Sequence, residues 1–117
     1  MIKENMIVLY GIGTCATCRK ALEELRRRGI PCHLHDFRED GLDPTLLRRL
    51  EIAFGWQTLL NRRSTTWRSL VAAEKENLDR ERALRLLCEH PTLIKRPILD
   101  DGESLFLGLG SYLASRS

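Results

Sequence analysis

The chain has 117 residues, of which 43% are hydrophobic and 30% charged. That balance suits one globular domain with its own core, and it excludes a disordered tail, a collagen-like repeat and a disulfide scaffold. Nineteen Lys and Arg against sixteen Asp and Glu leave a charge of +3, too slight a bias to argue for direct nucleic-acid binding. No apolar run approaches the ~18–20 residues that span a bilayer. Lys3 and Glu4 precede the first apolar run, and no small-residue cleavage site follows it, so no membrane span or signal peptide is expected and the cytoplasm is the expected location. In a reducing compartment Cys15, Cys18, Cys32 and Cys88 are expected as thiols, with any disulfide transient and chemical.

In chain order, Met6 to Tyr10 is an apolar run closed by Gly11-Ile12-Gly13-Thr14 and reads as a buried strand. From Cys15 the period becomes helical, with Ala21, Leu22 and Leu25 on one side and charged residues between them. Arg26–Arg28 suit the negative end of the helix dipole, and Gly29 stops the helix. Ile30 to Phe37 alternates loosely as a second strand, which makes a βαβ unit with a parallel pair. Asp43-Pro44 then gives an N-cap and a proline at the first helical position of a helix running through Phe54, with Gly55 ending it. Trp56 to Leu60 is short and apolar, residues 61–66 form a polar loop, and Trp67 to Ala73 reads as a helical turn or two. Asp79 caps a helix to Glu89, with Leu84, Leu87 and Cys88 expected to face inward. Pro97-Ile98-Leu99, a turn at Asp100-Asp101-Gly102 and Ser104 to Leu107 form a hairpin. Leu109 to Ala114 forms a last helix.

The chemistry concentrates at Cys15-Ala16-Thr17-Cys18, where the first strand hands over to the first helix. A thiol at a helix N-terminus faces free backbone N–H groups and the positive end of the dipole, which stabilise its thiolate. Cys18, one turn later, is placed to attack a mixed disulfide formed at Cys15, as a resolving thiol does. Arg19 and Lys20 would add positive charge if they projected toward the site. The plain alternative is a structural or zinc-bound pair. Cys32, His33 and His35 follow at a tempting distance, but His33 and His35 alternate on a strand rather than sharing a helix face, so no metal is expected. Cys32 and Cys88 read as packing residues. Lys95-Arg96-Pro97 at the start of an apolar strand fits a tight entry or a solvated strand edge.

Three segments taken together go further. Gly11-Ile12-Gly13-Thr14-Cys15, the stretch from Leu59-Leu60-Asn61-Arg62-Arg63 to Trp67-Arg68, and Ile94-Lys95-Arg96-Pro97-Ile98 occur in an order and at intervals that resemble the arsenate reductase (ArsC) family, most closely its Spx/YffB-type branch. The resemblance spans about residues 6–115. It implies an α/β, thioredoxin-like fold in a single domain of 117 residues, with a core of about 6–42 and 90–115 and a helical insertion of about 43–89 between the second and third strands. It also implies that Cys15 is the redox nucleophile, that Arg96 and the cis-proline Pro97 shape a site for an anion or thiol partner, and that Asn61 and Arg63 line it from the insertion.

The departures from the family pattern narrow the expected function. Asn61 stands where the arsenate reductases place an arginine, and Leu107-Gly108-Leu109 carries none of the basic residue expected in the last hairpin, which argues against arsenate as the substrate. Cys18 resembles the C-x-x-C switch of the Spx type. The expectation is a thiol–disulfide oxidoreductase that uses glutathione as co-substrate, or a protein thiol or disulfide, and needs no cofactor. The alternative is a redox-sensing regulator that binds RNA polymerase through a face that includes Gly55.

Overall fold

The computed structural model describes residues 6–116. They form two compact units, one made of the described residues up to Gly41 together with those from Arg96 onward, the other of Leu42–Lys95. In the first unit, β1 (Ile7–Gly11), α1 (Ala16–Arg27) and β2 (Cys32–Asp36) form the expected succession of strand, helix and strand. β1 and β2 run parallel, with Leu9 opposite Leu34. The chain returns as β3 (Ile98–Asp100) and β4 (Leu105–Leu107), both antiparallel to their neighbours, and closes with α7 (Leu109–Ser115). The sheet order is β2-β1-β3-β4, so the strand that leads into Cys15 is central.

The core of this unit follows from the periods. Along α1, Cys18, Ala21, Leu22 and Leu25 are the buried positions, a stripe at three- and four-residue spacing. It packs with Ile7, Leu9 and Leu99 of the sheet and with Tyr112 of α7. Burying one such leucine contributes about 1.5–3 kcal/mol, and the stripe therefore fixes α1 on the sheet. Gly29, at φ +73°, carries the chain out of α1 in a conformation that a side chain would resist. The hairpin turn is held by Asp101, whose Oδ1 accepts the N–H groups of Glu103 and Ser104 at 2.9 and 2.7 Å.

The second unit contains α2 (Pro44–Phe54), α3 (Trp56–Leu59), α4 (Thr65–Ser69), α5 (Ala72–Lys75) and α6 (Arg80–Glu89). Asp43 Oδ1 accepts the Leu46 N–H at 2.7 Å, and Asp79 Oδ1 accepts the Arg82 N–H at 2.9 Å, so both expected caps form. The expected turn or two near Trp67 is two short helices, the first opened by Ser64 Oγ accepting the Trp67 N–H. This unit extends to Lys95 because residues 91–95 bond back to it: Asn61 N–H donates to Leu93 O at 2.7 Å and Lys95 N–H to Leu59 O at 2.8 Å. One inward face differs from expectation. α6 buries Ala83, Leu86 and Leu87, while Cys88 is exposed. Leu84 and Cys88, four residues apart on the flank, instead line a groove with Pro44, Leu47 and Arg48 of α2. Two overlapping apolar stripes were available on this helix, and packing took the one containing Ala83.

Candidate active site

The first turn of α1 is where the site assembles. Cys15 is its N-cap residue and is half-buried, and its own N–H donates to Ile12 O at 2.9 Å, closing the loop that leaves β1. Cys18 is fully buried in the core cluster. Both are thiols here. Behind Cys18 lies Gly11, where an added Cβ would run into the Cys18 Sγ. A bare backbone at the end of β1 is what makes room for this sulfur.

The two thiols sit in opposite electrostatic settings. Burial pushes the Cys15 thiol up, but the Cys18 backbone N–H, the Cys18 thiol and the Arg96 guanidinium all favour its thiolate, and the balance holds it below the ordinary range. Burial also pushes the Cys18 thiol up; a backbone hydrogen bond at Ile12 works against this, while the neighbouring Cys15 adds to it, and Cys18 is pushed up to about 11. At neutral pH Cys15 is thus the better nucleophile and Cys18 the proton holder. The cation that reaches Cys15 is Arg96; Arg19 and Lys20 are exposed on α1.

Arg96 opens the return to the sheet. The Arg96–Pro97 peptide bond is cis, Pro97 is buried, and its carbonyl accepts the Gly108 N–H at 2.8 Å, tying the entry of β3 to the start of α7. Cys15, Cys18, Arg96 and Pro97 therefore all belong to the first unit. Asn61 and Arg63 belong to the second, where they shape one turn: Asn61 Oδ1 accepts the Arg63 N–H at 3.0 Å, and the carbonyl of the exposed Arg63 accepts an Arg68 guanidinium N–H, also at 3.0 Å.

Cys32 packs half-buried against the core. His35 Nε2 meets Gly41 O at 2.8 Å, and its ring leans on Tyr10 with centroids 5.0 Å apart. Among the described residues no three His, Cys, Asp or Glu side chains gather to hold a metal ion, and no helix is long and apolar enough to cross a membrane. The Cys88 thiol, exposed on the flank of α6, is pushed up by partial desolvation and by the charge of Glu89.

One residue at the site escaped the sequence reading. Asp36, at the carboxyl end of β2, is 8% exposed, and its Oδ2 accepts the Gly13 N–H at 2.7 Å. A carboxylate at the end of a strand that pairs in parallel with the strand before the thiol loop is the signal that could have found it, since loops at strand carboxyl ends meet there.

Residues 10–111 match the ArsC family. The chain is 52% identical over 101 residues to an uncharacterized protein of Haemophilus influenzae, covering 86% of this chain and 89% of that one. It is 30% identical over 105 residues to the global transcriptional regulator Spx 1 of Lactococcus lactis, covering 88% and 81%. A solved YffB protein superposes with a TM-score of 0.86 at 39% identity, covering 95% of this chain and 99% of that one. With that extent of match in both sequence and fold, the chain belongs to the ArsC family and has its thioredoxin-like fold, with a helical segment between β2 and β3.

Proposed function

We propose that this protein is a cytoplasmic thiol–disulfide oxidoreductase whose substrate is glutathione in mixed disulfide with another thiol, or a protein disulfide. The observation that carries the reading is the unequal pair, a Cys15 thiol held down beside Arg96 and a buried Cys18 thiol held up. The Cys15 thiolate attacks one sulfur of the substrate disulfide R–S–S–R′, forming Cys15–S–S–R and releasing R′–S⁻. Cys18 then attacks the Cys15 sulfur, its proton passing to the departing R–S⁻, which leaves a Cys15–Cys18 disulfide. Two external thiols return two electrons, form their own disulfide and restore both cysteines.

Burial does most to hold the Cys18 thiol up, and the neighbouring Cys15 adds to it. Once Cys15 is in the mixed disulfide, its charge and its thiol hydrogen bond no longer press on Cys18, and the resolving thiol becomes easier to ionise. In this reading Arg96 steadies the anionic end of the incoming partner as well as the thiolate, and Pro97 shapes the site beside it. Cys15→Ser is expected to abolish thiol-dependent reduction of a glutathione mixed disulfide, and Cys18→Ser to accumulate a mixed disulfide at Cys15 that mass spectrometry detects. Full activity in Cys15→Ser would refute the reading.

The similarity to a protein named as a global transcriptional regulator favours a second reading, a redox switch at Cys15–Cys18 that controls binding to RNA polymerase near Gly55. Capture of polymerase in only one redox state would favour it; no capture in either state would remove it. Arsenate-dependent thiol consumption would instead revive arsenate reduction despite Asn61.

A further inference from the structure

We propose that Asp36 is a positioning residue for Cys15, a carboxylate latch at the end of β2 that holds the Gly11–Cys15 loop by the Gly13 N–H and so sets the nucleophile on the N-terminus of α1. This rests on the reading of Cys15 as nucleophile, and it concerns a residue that touches no reacting atom. A carboxylate this buried is costly unless its oxygens are satisfied, and here they are divided. Oδ1 accepts the neighbouring N–H groups of Arg38 and Glu39 at 2.7 and 3.2 Å, as a local turn would provide. Oδ2 reaches across 23 residues to Gly13 at 2.7 Å.

The carboxylate is itself anchored. Asp36 N–H donates to Asp40 Oδ2 at 2.8 Å, Asp40 N–H donates back to Asp36 O at 2.7 Å, and Phe37 N–H donates to Gly11 O at 2.8 Å. Both sides of the loop's origin are therefore stitched to the end of β2. The approach is close: a Cβ at Gly13 would lie 3.1 Å from Asp36 Oδ2, so the carboxylate would have to give by a few tenths of an ångström. Only Thr14 separates Gly13 from the thiol-bearing residue, and the Cys15 N–H to Ile12 O bond ties the nucleophile to the loop. Asp36 meets the loop through a hydrogen bond to its backbone. Its negative charge is taken up by three backbone N–H groups, which hold its own carboxyl below the usual range against the upward push of burial. Its influence on the thiol is through position.

Asp36→Asn separates position from charge. The amide offers one accepting oxygen, and if that oxygen keeps Arg38 and Glu39, an NH₂ group faces the Gly13 N–H and the latch opens. The pH profile of Cys15 alkylation is measured in the full chain under reducing conditions, resolved from Cys18 by fragment mass spectrometry, together with hydrogen exchange at Gly13. The expected result is a profile displaced to higher pH, alkylation at pH 7 slowed about three- to tenfold by the smaller thiolate fraction, and faster Gly13 exchange with the Leu9 and Leu34 amides still protected. A profile displaced to lower pH would mean that Asp36 acts as a like charge, and an unchanged profile with faster Gly13 exchange or lower stability would make its role structural; either overturns the proposal. Should Asp36→Asn fail to fold, Gly13→Ala presses on the same contact from the other side; an unchanged Cys15 profile there overturns it equally. None of these readouts uses turnover, so they stand apart from the loss of activity in Cys15→Ser that tests the nucleophile itself.

Discussion

Gly11→Ala tests whether the floor of the thiol site is built for the Cys18 sulfur. Gly11 is not among the residues with positive φ, so alanine can adopt its backbone, and the loss of freedom in the unfolded chain favours the folded state by about 0.4–1 kcal/mol. Against this stands the new methyl group, which runs into the Cys18 Sγ and lies 3.4 Å from both the Cys18 Cβ and the Leu9 Cδ2. Cys18 and Leu9 are both fully buried, so neither can yield without disturbing the packing between α1 and the sheet. Overpacking of this kind costs about 1–3 kcal/mol, and a net destabilisation of roughly 1–2 kcal/mol is expected. Urea unfolding in the presence of a reductant reads it as a lower midpoint at unchanged slope. The decisive arm is a double-mutant cycle. With the sulfur removed by Cys18→Ala, the methyl group gains space, and the two changes together should cost less than their sum by about 1 kcal/mol. A midpoint unchanged by Gly11→Ala, or effects that add to within roughly 0.5 kcal/mol, would refute the argument that this glycine exists for the sulfur.

Two further predictions address the charges. Arg96→Gln removes a cation and a hydrogen bond that favour the Cys15 thiolate, so its alkylation profile should move to higher pH; an unmoved profile would show that the Cys18 N–H and thiol hold it down without the cation. Asp36, whose carboxyl is depressed in the folded chain, should contribute stability that is fully present above its unfolded value of about 3.9 and is lost as the pH falls through the lower folded value. The fall in stability between pH 6 and pH 3 should therefore be smaller in Asp36→Asn than in the parent, and an equal fall in both would contradict it.

Local chemistry carried most of the fold. Asp43-Pro44 and Asp79 cap their helices because a side-chain oxygen reaches an N–H only three residues away, an interaction written entirely in neighbouring residues. The stripe of Ala21, Leu22 and Leu25, closed by Gly29, needed nothing beyond its own period to define α1. Cys88 shows where period runs out: α6 has apolar residues enough for two adjoining stripes, and the facing surface within its own unit chose Ala83, Leu86 and Leu87. The site divides along the same line. The position of Cys15 and Cys18 on the first turn of a helix was legible in the sequence by itself, since a strand ending in glycine and a helical period beginning at the first cysteine leave little else for them to be. Which thiol carries the charge was decided by tertiary structure, because burial of Cys18 and the arrival of Arg96 from 81 positions along the chain set that balance. The latch from Asp36 to Gly13 and the clearance at Gly11 belong there too: both are contacts between segments that only the pairing of β1 with β2 and the packing of α1 bring together.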